Sequence, residues 1–178
     1  MFCIIIVNIF HNIAVKFLFC PDQGLDPALP GGANKTSLKE GQSVMVDLGG
    51  NFNGYMNDMS RVFSIGKLPE EAYTAHQVCL DIQEKIASIA RPGIACEVLY
   101  DTAVEVVKAA GFADKFMGTG QQAKFIGHGI GLEINEAPVL APRIKQQLEL
   151  GMVFALEPKI VIPVSYTHLR AHETCADL

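Results

Sequence analysis

The sequence predicts an α+β domain made of two related halves. Three observations carry this reading: a strand hairpin over Val44–Phe63, two amphipathic helices between residues 69 and 111, and a turn–strand–acid unit that occurs twice.

The hairpin reads VMVDLGGNFNGYMNDMSRVF. β-formers flank Gly49-Gly50-Asn51-Phe52-Asn53-Gly54, a composition that turns a chain back on itself. Leu38-Lys39-Glu40-Gly41 leads into the first arm, and Gly66 and Pro69 end the second. Each arm carries one aspartate, Asp47 and Asp58, placed symmetrically about Phe52–Asn53. A hairpin closing there opposes them with Cβ atoms roughly 4.5–5.5 Å apart. Like charges opposed in a sheet repel, so the pair calls for a shared proton or a bound cation. The plain alternative is two turn-flanking aspartates that point at water.

Pro69-Glu70-Glu71 is a helix start, with proline in the first turn and acids at the positive end of the helix dipole. Ala72, Ala75, Cys79, Ile82, Ile86 and Ile89 follow at three- and four-residue steps and form one apolar stripe. Arg91-Pro92-Gly93 stops it. A second helix is expected from about Glu97 to Ala110, with Leu99, Ala103, Val106 and Ala110 inward and Gly111 as its C-terminal cap. His76 lies among polar neighbours and reads as a surface histidine.

The repeat joins the two ends of the domain. Leu38-x-x-Gly41 is followed by a largely apolar run and then Asp47; Leu148-x-x-Gly151 is followed by a similar run and then Glu157. An acid closing an apolar strand is unfavourable unless paired or metal-bound. Two at equivalent places suggest a pseudo-symmetric site between halves. Between the copies lies Gly127-His128-Gly129-Ile130-Gly131, which does not spell the dinucleotide fingerprint. Its glycines clear space around His128 so that backbone or ligand can approach the ring. Three carboxylates and an imidazole (Asp47, Asp58, Glu157 and His128) suit Mn, Fe, Co or Zn. The carboxylate excess suits two ions sharing ligands.

Composition narrows the alternatives. Of 178 residues 49% are apolar and the net charge is −5, which argues against disorder and against a nucleic-acid surface. Five scattered cysteines form no C-x-x-C pair, so neither a disulfide framework nor a zinc knuckle is suggested and a reducing, cytoplasmic setting follows. Residues 1–20 are apolar, but Asn8, His11, Asn12 and Lys16 interrupt the run before it reaches spanning length, so no membrane anchor is expected. Pro21–Asn34 reads as loop.

The segments VDLGGNFNGYMNDMSRVFSIG, GHGIGLEINEAP and LELGMVFALEPKIVIP resemble the pita-bread metallopeptidases: methionine aminopeptidase, Xaa-Pro dipeptidase, aminopeptidase P and creatinase. The Xaa-Pro branch is nearest, and the likeness runs from about Gly24 to Pro163. The resemblance implies a pita-bread fold, a pseudo-two-fold antiparallel sheet with flanking helices, here incomplete. It implies that Asp47, Asp58, His128 and Glu157 hold two divalent ions (Mn, Co, Fe or Zn), whose hydroxide attacks a peptide bond near a free N-terminus.

The chain departs from that pattern in four places. The family's fifth ligand is a glutamate on a later strand, whereas Pro163 is followed here by VSYTHLRAHETCADL, where Glu173 has the chemistry but not the context. The peptidases carry a histidine seven residues after the metal histidine; Asn135 stands there, able to donate a hydrogen bond but not to move a proton. A further histidine is replaced within Leu29-Pro30-Gly31-Gly32. The separate N-terminal domain of the creatinase branch has no room.

The domain reading is therefore an uncertain leader over 1–23, a partial catalytic domain over 24–163, and a tail over 164–178 foreign to it. His168 and His172, four apart, belong to that tail and not to a second metal site. The expected function is a two-metal hydrolase of Xaa-Pro peptidase type with Asn135 as an orienting residue, acting on a peptide or small molecule. A homodimer is compatible with the sequence. Glu136 is an acid with no assigned role. The alternative is a pita-bread domain without peptidase activity, either a binding module or a metal-dependent enzyme on another small molecule.

Overall fold

The computed structural model describes the main chain of residues 16–21, 39–119, 122–162, 167–170 and 173–175, and the side chains within 39–44, 49–119 and 122–162. The leader before Lys16, most of the 21–34 loop, His172 and the side chain of Asp47 lie outside the described residues.

Strands β1 (Lys16–Pro21), β2 (Gln42–Phe52) and β3 (Tyr55–Ile65) form one antiparallel sheet in that order. Helices α1 (Glu70–Ile89) and α2 (Cys96–Ala109) follow. A second sheet has the order β5 (Glu136–Leu140), β4 (Gly127–Gly129), β6 (Phe154–Leu156), β9 (Glu173–Cys175), and β7 (Lys159–Ile162) pairs with β8 (Thr167–Arg170). The helices pack on each other, α1 also against β7 and α2 against β5.

The expected hairpin forms, but it closes later than the symmetric reading placed it. Phe52 pairs with Tyr55, leaving Asn53-Gly54 as a two-residue turn. Both have positive φ, 51° and 89°, as the type I′ turn favoured by right-twisted strands requires. The Asn51 side chain accepts a hydrogen bond from the Gly54 amide at 3.1 Å. The pairing consequently moves by two residues: Asp47 stands opposite Ser60, and Asp58 opposite Gly49. The two aspartates do not face each other across the ladder. The Asn-Gly turn chemistry outweighed the symmetry of the acids.

The internal repeat appears in the backbone. Gly41 and Gly151 take left-handed conformations with φ of 84° and 86°. Gln42 N–H donates to Lys39 O at 3.3 Å, and Met152 N–H to Glu149 O at 3.2 Å. Even the side-chain closure is shared: the Lys39 amide donates to Gln42 Oε1 and the Glu149 amide to Met152 Sδ. Each turn then feeds a strand, β2 or β6.

Helix α1 begins directly after Pro69 with Glu70 and Glu71 in its first turn, and it buries Ala72, Ala75, Val78, Cys79, Ile82 and Ile86. Helix α2 buries Cys96, Leu99, Ala103 and Val107. Ala110, expected inward, is exposed. The helix has already ended at Ala109. Gly111 N–H bonds to Lys108 O and Phe112 N–H to Val107 O, a C-terminal cap that satisfies the last carbonyls and returns Phe112 to the core. His76 also departs from expectation. It is half-buried, its Nδ1 has no hydrogen-bond partner, and burial lowers its pKa from 6.5.

The core lies between the helices and strands β4 to β7. Ile82, Ile86, Leu99, Ile126, Leu140, Phe154 and Leu156 are among its fully buried side chains, each contributing about 1.5–3 kcal/mol of transfer free energy. No helix among the described residues is long and apolar enough to cross a membrane.

Candidate metal centre

Three of the four predicted ligands meet. One donor atom each from Asp58, His128 and Glu157 lies within 4.8 Å of the other two. His128 Nε2 is 2.8 Å from Glu157 Oε1 and 3.6 Å from Asp58 Oδ2. Asp58 is 8% exposed and His128 5%.

Strand geometry explains the first pair. His128 on β4 is opposite Ala155 on β6. Glu157 lies two residues further along, held to the ladder by its N–H to Ile126 O at 2.7 Å. Side chains two apart on a strand share a face, so Glu157 sits diagonally beside His128. Asp58 arrives from the other sheet. Met56, two residues before it, donates its N–H to Gly131 O at 2.7 Å. Ile134 packs against Gly49, its Cδ1 3.1 Å from where a Cβ on that glycine would be. These contacts bring β3 to the end of β4.

The glycines around His128 serve strand packing rather than leaving open room. A Cβ on Gly127 would lie 2.3 Å from Ala155 O, and one on Gly129 would lie 2.2 Å from Ala137 O. Strand β4 is pressed between the main chains of β5 and β6, where only glycine fits. Opposite this point the β5 register shifts: His128 pairs with Val139 and Gly129 with Glu136.

The imidazole is oriented by backbone. His128 Nδ1 lies 3.0 Å from Gly129 O. A carbonyl oxygen only accepts, so Nδ1 carries the hydrogen. Nε2 is then the free ring nitrogen, and it faces two carboxylates. A lone pair aimed at anionic oxygens in a site shielded from water is stable only with a proton or a cation between them. Imidazole nitrogen with two carboxylate oxygens suits a divalent transition ion, and a histidine whose other nitrogen is pinned to a carbonyl is the usual form of a ligating one. The residues fit a metal.

Asp47 lies on β2 at the register position opposite Ser60, two residues along from Asp58 on the partner strand. Asn135 is exposed, immediately before β5. Glu173 is opposite Leu156, the residue before Glu157. Two contributors escaped the sequence reading. The Gly129 carbonyl carries no side-chain signal. Glu136 does: its Oε2 accepts the Glu133 amide at 3.1 Å, a contact between acids three apart that the segment GLEINE contains.

An αβ frame with paired halves and a carboxylate–imidazole group at their junction defines a candidate metal-binding domain. The sequence profile of metallopeptidase family M24 matches residues 23–175, and the chain belongs to that family. The chain is 34% identical over 137 residues to the Xaa-Pro dipeptidase of Pyrococcus furiosus, covering 76% of this chain and 38% of that one. It is 33% identical over 133 residues to the probable dipeptidase PepE of Mycobacterium tuberculosis, covering 74% and 34%. Among solved structures, the prolidase of Pyrococcus furiosus is 30% identical with a TM-score of 0.78, covering 90% of this chain and 45% of that one. The dipeptidase PepE of Mycobacterium ulcerans gives 28% and 0.81, covering 92% and 43%. The pita-bread fold expected from the resemblance is thus the fold of this chain, which spans less than half the length of these relatives.

Proposed function

We propose that this chain carries the metal-binding part of a hydrolase that cleaves Xaa-Pro dipeptides. The observation that carries the reading is the convergence of Asp58, His128 and Glu157 within 4.8 Å, with the imidazole turned by Gly129 O so that Nε2 points at the acids. Asp47 joins them as a fourth ligand in this reading, on the strength of its place at the end of the first repeat. Four such donors with a carboxylate excess suit two divalent ions, Mn, Fe, Co or Zn. Ions held there would polarise a carbonyl and bring a water to nucleophilic strength at neutral pH.

The chain's own residues supply the rest. Burial of Asp58 and His128 keeps water from competing at the ligand atoms, which strengthens their hold on a cation. Asn135, exposed beside the centre's own loop, presents an amide that can hydrogen-bond a substrate carbonyl and cannot exchange a proton with it. The substrate class follows the relatives' names, Xaa-Pro dipeptidase among them. A cytoplasmic setting follows the cysteine usage.

A second reading is a family member without peptidase activity, and Asn135 in place of the peptidase histidine favours it. Metal content by mass spectrometry, combined with cleavage of an X-Pro dipeptide, separates the two. Two equivalents of metal with cleavage supports the first reading. Metal without cleavage supports the second. A purified chain that takes up no divalent ion ends both the metal assignment and the hydrolase.

A further inference from the structure

We infer that Glu136 is a positioning residue that sets the distance between the two sheets contributing ligands to the centre, and so controls cation affinity without touching the cation. The inference rests on the metal reading above for its affinity arm alone.

The centre is built across a seam. His128 and Glu157 belong to the sheet containing β4 and β6, whereas Asp58 belongs to β3 of the hairpin. Main-chain contact across this seam runs through the segment 131–135: Met56 N–H donates to Gly131 O at 2.7 Å. Met56 is two residues from Asp58, and Gly131 three from His128. Any drift of the Gly131 carbonyl is therefore passed to the gap between Asp58 and the imidazole.

The shape of that segment is held from one side by Glu136. Its Oε2 accepts the Glu133 amide at 3.1 Å. Its Oε1 is packed so closely on Gly131 that a Cβ there would lie 2.5 Å away. The Gly131 amide in turn donates to Glu133 O at 3.1 Å. One carboxylate thus closes the loop at Glu133 and buttresses it at Gly131. Glu136 opens β5 opposite Gly129, whose carbonyl fixes the His128 ring. The loop, the ring and the hairpin arm share this support. Outer residues that orient ligands typically change metal affinity by 10–100-fold when removed.

The test uses the full chain and Co(II) as the probe, with Glu136→Ala, Glu136→Gln and Gly131→Ala. Hydrogen exchange is read at the Met56 and Glu133 amides without metal. Co(II) binding is read by calorimetry and by the visible spectrum of the bound ion. Glu136→Ala is expected to speed exchange at both amides, weaken Co(II) binding about tenfold and alter the spectrum. Glu136→Gln, which keeps an acceptor oxygen but not the charge, is expected to restore most of the affinity. Gly131→Ala, which displaces the carboxylate without deleting it, is expected to mimic Glu136→Ala and stands in for it where the latter fails to fold. Unchanged Met56 exchange in both alanine variants overturns the inference, as does a glutamine variant as weak as alanine, which would make Glu136 an electrostatic contributor. If the wild type binds no Co(II), the metal reading fails while the exchange result still decides the role of Glu136.

Discussion

His128 Nε2 and Glu157 Oε1 stand 2.8 Å apart although 29 residues separate them in the chain. The contact follows from strand pairing. His128 opposite Ala155 on β6 fixes Glu157, two residues on, as the diagonal neighbour. Asp58 completes the group from the other sheet, 3.6 Å from the same nitrogen. The centre therefore depends on both sheets.

Asp58→Ala is expected to remove most of the bound Mn while leaving the far-ultraviolet circular dichroism largely unchanged, because the buried faces of α1 and α2 do not include Asp58. Metal content before and after gel filtration is the measurement. A variant that keeps its full complement of ion disproves the ligand role of Asp58.

Gly129→Ala is expected to destabilise the fold by at least about 2 kcal/mol, at the upper part of the range for overpacking. The new methyl would meet the carbonyl oxygen of Ala137 at 2.2 Å and its carbon at 2.4 Å. Both belong to main chain and cannot be relieved by a rotamer change. Urea unfolding checks this, and an unaltered midpoint contradicts the account of strand β4 as pressed between its neighbours.

Acid is expected to weaken the fold through His76. Its Nδ1 is buried without a partner, and burial holds its pKa below 6.5. The unfolded chain takes up a proton near 6.5 and the folded chain only at lower pH, so falling pH favours unfolding across that interval. The neutral imidazole is fully compatible with the fold above about 6.5, and stability is lost progressively below it. Replacing the side chain by glutamine is expected to flatten this part of a melting-temperature profile taken from neutral to mildly acid buffer. A slope equal to that of the wild type assigns the loss to other groups.

Asn135→His is expected to raise turnover of an X-Pro dipeptide by about 10²-fold, the lower end of what a positioned general acid or base supplies, with bound metal unchanged. The side chain is exposed and outside the core, so the exchange leaves packing intact. Equal turnover by the two forms, each loaded to the same metal content, removes proton transfer at this position from the mechanism.

Much of this was legible in the chain, and the reasons differ by element. The helices were readable because their buried positions recur with the helical period; the departures are His76, half-buried on α1, and the last turn of α2, where Ala110 fits the stripe but the helix ends before it and Phe112 takes the buried place. The repeat was readable because left-handed turns at Gly41 and Gly151 demand glycine. The convergence of Asp58, His128 and Glu157 was legible because acids and imidazole in apolar strands need a partner. The hairpin register differs from the symmetric expectation because the Asn53-Gly54 turn sets it locally and overrides the symmetry of the two acids. The support given by Gly129 O and Glu136 was hidden for another reason: one is main chain, and the other acts through a contact that exists only when Gly131 has folded back on it.

The narrow seating of β4 has a bearing on how this site tolerates change. The strand that carries the imidazole is seated between main-chain oxygens on either flank, and the ring is turned by the carbonyl of its own neighbour. Side chains that touch neither the ring nor its supporting loop can therefore be exchanged widely, in nature or by an engineer, while the ring keeps its place. At positions 127 and 129, by contrast, anything larger than a hydrogen atom displaces the whole strand.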